Sequence, residues 1–121
     1  MTLLLAIFLF LAPPAHANEY TATAYAPLDP AAVRGMCYSG DPRVTASGRR
    51  TEPGITMAAP RHIPFGAWAL VEDVGWRRVD DRGGNIRGKR IDLCFLTRQE
   101  ALRWGRRKVR VLFIIEGRDG A

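Results

Sequence analysis

The stretch that most limits how this chain can fold is Asp80-Asp81-Arg82-Gly83-Gly84-Asn85-Ile86-Arg87-Gly88-Lys89-Arg90-Ile91-Asp92-Leu93-Cys94-Phe95. Acidic positions flank a turn rich in glycine, a residue that tolerates backbone geometry side-chained residues resist. From Arg90 onward the pattern alternates. Ile91, Leu93 and Phe95 fall on one face of a strand, and Arg90, Asp92 and Cys94 fall on the other. Asp92 is thus a carboxylate held on a strand. Such a group is either positioned for chemistry or is half of an ion pair, with Arg82 and Arg90 as the nearby partners. Taken alone, the stretch favours the ion pair, because structural ion pairs outnumber active sites.

Other segments alternate in the same way. Tyr20, Ala22 and Ala24 oppose Thr21, Thr23 and Tyr25, and Pro27 ends that strand. Residues 54–59 and 67–72 read as two short strands separated by the turn Arg61-His62-Ile63-Pro64-Phe65-Gly66. Residues 73–75 form a tight turn into a paired strand over 76–80, which makes a hairpin. Val109, Val111, Phe113 and Ile115 alternate on a last strand. Thr97-Arg98-Gln99-Glu100 is a capping box that opens a helix over about 97–104, closed by Gly105. Residues 28–53 are long and turn-rich, with one helical turn expected near 31–36 and a short strand at Val44-Thr45. Six or seven short strands and one helix in a small domain predict a closed or nearly closed barrel.

The N-terminus reads as an export signal. Leu3 to Leu11 is an apolar run, followed by Pro13-Pro14 and the small-x-small pattern Ala15-His16-Ala17. The run is too short to span a bilayer. The expectation is a signal peptide over 1–17 and a single domain over 18–121, secreted or periplasmic, envelope-associated, monomeric and without a membrane span once cleaved. Two cysteines in an exported chain predict one disulfide, Cys37–Cys94, which would pin the 28–53 loop beside Asp92.

The formal net charge is +6, and all 18 lysines and arginines follow residue 17. A basic surface favours anionic partners. Export argues against nucleic acid and leaves anionic polymers or membrane surface of the envelope. His62 stands alone without a metal-ligand cluster, so neither metal nor cofactor is expected. Trp68, Trp76 and Trp104 either cover the core or offer sugar-stacking faces.

Taken together, the motifs resemble the 3D (three-aspartate) domain family. These are double-psi β-barrels related to the C-terminal part of membrane-bound lytic transglycosylase A, to rare lipoprotein A and to expansins. The resemblance rests on Thr21-Ala22-Thr23-Ala24-Tyr25, Thr45-Ala46-Ser47-Gly48, Ile63-Pro64-Phe65-Gly66, Asp81-Arg82-Gly83-Gly84 and Ile86 to Leu93. Ala59, before Pro60, stands where the family normally carries its first aspartate.

The resemblance implies a mainly β, six-stranded double-psi barrel that acts on the β-1,4-glycan of peptidoglycan or a related anionic polymer. It makes Asp92 the general acid and base of a lytic cleavage and Asp81 its partner. Tyr25, Thr45, Trp68, Arg82, Gly83, Gly84 and Arg87 become substrate-binding candidates, with arginines 82, 87 and 90 available to stem-peptide carboxylates. A hydrolase would need a further base, for which Asp41, Glu52 and Asp80 are the candidates. Two other readings stand beside the enzyme. One is a non-catalytic glycan-binding or wall-loosening module, and the other is an envelope structural or inhibitor protein.

Overall fold

The computed structural model describes residues 12–35, 37–38 and 40–116. Most of the expected signal segment, residues 1–11, lies outside the described residues. Among those described, no helix is long and apolar enough to cross a membrane.

Six strands form the barrel: β1 Asn18–Tyr25, β2 Thr56–Ala58, β3 Trp68–Val71, β4 Gly75–Asp81, β5 Arg90–Cys94 and β6 Arg107–Ile114. One helix, α1 Arg98–Trp104, lies between β5 and β6. The barrel closes in the order β1-β5-β2-β4-β3-β6. The pairs β1–β5 and β2–β4 are parallel, and the other four are antiparallel. β3 and β4 form the expected hairpin. Their turn uses left-handed backbone at Asp73 (φ 65°) and Gly75 (φ 100°), conformations that aspartate and glycine tolerate best.

The alternation in the sequence sorts residues as expected. Tyr20 and Ala22 of β1, Met57 of β2, Val79 of β4, Ile91 and Leu93 of β5, and Val109 and Val111 of β6 fill the interior. Met57, Ile91 and Leu93 are completely buried, each worth roughly 1.5–3 kcal/mol relative to exposure. Helix α1 begins at Thr97 with both halves of the capping box formed. The Asp29 carboxylate accepts a further bond from the Arg98 N–H at 2.7 Å, which ties the long loop to the helix start. At the other end Trp104 is buried and donates its indole N–H to the Ala22 carbonyl at 3.0 Å. Trp104 is therefore a core residue, and α1 is fixed over β1.

The loop over 28–53 is turn-rich, as expected. Val44 forms a single bridge to Arg50 rather than a strand. The expected Cys37–Cys94 disulfide is not formed, and both cysteines are free. Cys94 is completely buried on β5, beside Tyr25 in register, and its sulfur lies 3.9 Å from the Phe95 carbonyl. Cys37 sits partly exposed on the loop, where its sulfur accepts from the Val33 N–H at 3.4 Å. An even count of cysteines specifies no geometry, and a disulfide requires specific Cα and Cβ separations.

Candidate active site

On β5 the side chains of Asp92 and Cys94 lie on the face opposite Ile91 and Leu93, where Cys94 is nonetheless completely buried. Parallel pairing sets Thr23 beside Asp92 and Tyr25 beside Cys94. On the other side of β5, antiparallel pairing sets Ala58 beside Asp92. Ala58 is also the register partner of Asp81 on β4. This second pairing depends on an irregularity. Met57 pairs with Val79, but the next residue, Ala58, pairs with Asp81 rather than Asp80. Simple alternation from Val79 would turn Asp81 toward the core. The bulge takes up the extra residue and brings Asp81 to the face shared by Ala58 and Asp92. The two carboxylates are thus carried two strands apart, with Cα atoms about 9–10 Å from one another by strand spacing.

Asp81 is held by three donors. The Tyr25 hydroxyl donates to Oδ2 at 2.8 Å, and the backbone N–H groups of Ala46 and Arg82 donate to Oδ1 at 3.0 Å each. The Ala46 donor explains the Thr-x-Ser-Gly segment. Thr45 and Ser47 share a hydrogen bond of 2.9 Å, and the Thr45 hydroxyl donates to the Arg49 carbonyl at 2.9 Å. The Ser47 N–H also bonds the Asp80 carbonyl at 3.0 Å. Thr45 is buried and shapes the turn that grips Asp81.

Asp92 has a different environment. The Thr23 hydroxyl lies 2.9 Å from Oδ1. No ion pair to Asp92 occurs among the described residues, so neither Arg82 nor Arg90 neutralises it. Burial pushes its carboxyl up to about 6, the Thr23 hydrogen bond opposes that rise, and the charge of Asp81 adds to it. It faces a cleft of about 270 Å³ bordered by Thr21, Thr23, Asn85, Ile86, Arg90 and Arg106. Burial, with Asp81 next in effect, also raises the Tyr25 hydroxyl well above its ordinary range and pushes the Cys94 thiol up to about 12. Both groups are neutral near pH 7.

The remaining carboxylates singled out in the sequence are already engaged. Asp80 is completely buried and accepts from Arg78 Nε at 3.0 and 2.8 Å. Arg78 also reaches Glu52 at 2.9 Å, and Arg49 lies 3.7 Å from Asp80. Asp41 is paired with Arg43 at 3.0 Å. Among the described residues, no group of three or more His, Cys, Asp or Glu side chains is arranged to hold a metal ion.

Of the expected binding residues, Tyr25 and Thr45 gather at Asp81. Arg82 is committed to backbone. It donates to the carbonyls of Ile63 at 2.7 Å, Ala59 at 3.2 Å and Asp81 at 3.3 Å, and its guanidinium lies 4.0 Å from the centre of the Phe65 ring. Gly83, Gly84 and Arg87 line a separate, more open cleft. A Cβ at Gly83 would stand 2.8 Å from Ile86 Cγ1, so any side chain there would force Ile86 to move. Trp68 borders another groove, with the Arg78 guanidinium 5.7 Å from its ring centre, and does not join the carboxylates. Trp76 is exposed on the hairpin, five residues before Asp81 on β4. Sequence reasoning missed Thr23 and the Ala46 N–H. Thr23 alternates with Tyr25 on the same outer face, but only the parallel β1–β5 register brings it to Asp92.

A closed six-stranded barrel with two parallel pairs and two carboxylates facing out across β2 defines a small double-psi type of domain. The chain belongs to the 3D domain family, whose model matches residues 55–115, half of the chain. Over 71 residues it is 36% identical to YabE of Bacillus subtilis (strain 168), a protein named for cell wall shaping. That match covers 55% of this chain and 17% of the relative, so the chain spans less than a fifth of YabE. The crystal structure of MltA from E. coli is similar in fold, with a TM-score of 0.51 and 22% identity over 58% of this chain and 26% of that one.

Proposed function

We propose that the chain is an exported, envelope-associated domain that cleaves peptidoglycan glycan strands by the lytic route, with Asp92 as acid and then base. The observation that carries this reading is the state of Asp92. It is a strand-held carboxyl beside an open cleft, bonded to a hydroxyl and unpaired with any cation among the described residues. A carboxyl kept near pH 6 is protonated often enough to donate and ionised often enough to accept. The family membership, the likeness to a protein named for cell wall shaping and the sequence resemblance to lytic transglycosylases support peptidoglycan as the substrate class.

In this mechanism protonated Asp92 gives its proton to the glycosidic oxygen as the C1–O bond breaks. The oxocarbenium-like centre that develops is stabilised by the negative charge of Asp81 across β2. The C6 hydroxyl of the same sugar then bonds C1 and loses its proton to the Asp92 carboxylate, which restores the acid. No water is consumed. Asp80, Glu52 and Asp41, the water-activating bases considered from the sequence, are each engaged by an arginine, which favours this route over hydrolysis.

The test is digestion of purified sacculi by the mature domain, with mass spectrometry of the soluble products. Anhydro-muropeptides that vanish in Asp92→Asn are the expected outcome. Binding to sacculi with no released product would replace the enzyme with a glycan-binding module. One observation favours that second reading. Ala59 is completely buried within the apolar core and provides no carboxylate, so the family's first acidic position is lost.

A further inference from the structure

A second cleft, of about 620 Å³, opens between the 60–62 turn and the 82–88 turn. Arg61 and His62 stand on one wall, and Arg82 and Arg87 on the other. Among the described residues, no acidic one lines it. None of the ion pairs among the described residues involves Arg61, Arg82 or Arg87. Burial first, and then the charge of Arg61, hold the Arg82 guanidinium below its ordinary range, while the neighbouring Asp81 opposes the shift. Three arginines on a cleft whose lining carries no carboxylate make its mouth positive, a potential that a bound anion would relieve.

The cleft is also partly organised in advance. Arg82 is fixed by three carbonyls and the Phe65 ring, and these bonds leave two of its five N–H donors for another partner. Arg87 Nε donates to the Gly84 carbonyl at 2.9 Å, which folds its side chain back over the glycine turn. An arginine already held in place loses little freedom on binding. Ile86 borders both this cleft and the one containing Asp92, so the two lie on either side of one side chain.

We infer that this cleft is a carboxylate-binding subsite that recognises the peptide substituent of a glycan lying across Asp92. The inference rests on the glycan-cleaving reading above and adds to it a preference for peptide-bearing strands. A carboxylate suits the site because guanidinium groups bind it in a planar, bidentate manner. A group branching from a sugar at the Asp92 cleft would enter the basic cleft across Ile86, the residue common to both linings.

Two forms of one soluble probe test it. Each is a short alternating N-acetylglucosamine–N-acetylmuramic acid oligosaccharide carrying the same stem peptide, with free carboxylates in one form and amidated in the other. Titration calorimetry of the Asp92→Asn domain at low salt measures binding without turnover. The free-carboxylate form is expected to bind about tenfold more tightly. The ratio should fall to about one in Arg61→Gln/Arg87→Gln, with an unchanged thermal midpoint confirming that the variant is folded. Equal affinity for the two forms, or a ratio that survives the double substitution, overturns the subsite while leaving the glycan reading in place. Binding of neither form overturns the glycan reading and the subsite with it.

Discussion

The Tyr25 hydroxyl donates to Asp81 Oδ2 at 2.8 Å, joining strands β1 and β4, which are not neighbours in the barrel. Strands β5 and β2 stand between them in the barrel order, so the bond links β1 to β4 independently of the sheet ladder. Tyr25→Phe keeps the ring and removes the bond. A loss of about 1–2 kcal/mol in urea unfolding at pH 7 is expected. Because the folded hydroxyl holds its proton more tightly than the unfolded one, its stability contribution is complete below pH 10 and declines as pH rises through the higher folded value. The alkaline unfolding limb should therefore soften in Tyr25→Phe.

Asp92 destabilises the protein at neutral pH. Its carboxyl is raised from 3.8 to about 6, so the contribution of the neutral form is full below pH 3.8 and is lost as pH rises through about 6. Asp92→Asn should be more stable than the parent by about 3 kcal/mol at pH 7.5, and the two should converge near pH 3.5. Denaturation curves at the two pH values measure this. An Asn variant that is less stable at pH 7.5 would indicate a structural role for the carboxylate.

Thr23 stabilises the ionised form of Asp92 by its hydrogen bond. Thr23→Val removes that bond at nearly the same volume, so the carboxyl should titrate higher still. Carbon-13 NMR of the Asp92 carboxyl reads the shift directly. In the sacculus assay the alkaline limb, expected near pH 6 in the parent, should move in the same direction. An unmoved limb would assign the limb to another group.

Arg78 is the counter-charge for a completely buried carboxylate. Arg78→Met leaves Asp80 without its closest partner and should cost about 3–5 kcal/mol. Adding Asp80→Asn should recover a substantial part, since the stranded charge is then gone. Chemical denaturation of the single and double variants supplies the comparison.

The glycine turn should tolerate little change at position 83. Gly83→Ala sets a Cβ 2.8 Å from Ile86 Cγ1 and should cost about 1–3 kcal/mol. Adding Ile86→Ala removes the obstructing atom, and the nearest remaining atom, Ile86 Cβ, is at 3.7 Å. A double-mutant cycle should therefore show the two losses to be non-additive.

Local features were readable because they depend on neighbours in the chain. The alternation at Tyr20–Tyr25 and Arg90–Cys94, the Thr97 capping box and the Asp73–Gly75 turn all formed as the sequence indicated. Each arises from backbone preference and the period of side-chain burial. The family motifs carried the barrel as well, because they mark turns whose geometry only certain residues meet. Counting cysteines, by contrast, misjudged Cys37 and Cys94, which remain free thiols.

The sequence by itself determined which residues turn inward, where the helix starts, and that Asp92 sits on a strand face opposite the core. Only the tertiary structure decided what meets Asp92 there. The parallel β1–β5 register brings Thr23 to it, and Arg82 is drawn off to the Ala59 and Ile63 carbonyls. The bulge beside Ala58 selects Asp81 over Asp80 as the second outward carboxylate. The reason is physical. Alternation fixes a side chain's face within one strand, but a one-residue slip between strands exchanges the faces, and that slip is set by pairing between segments far apart in the chain.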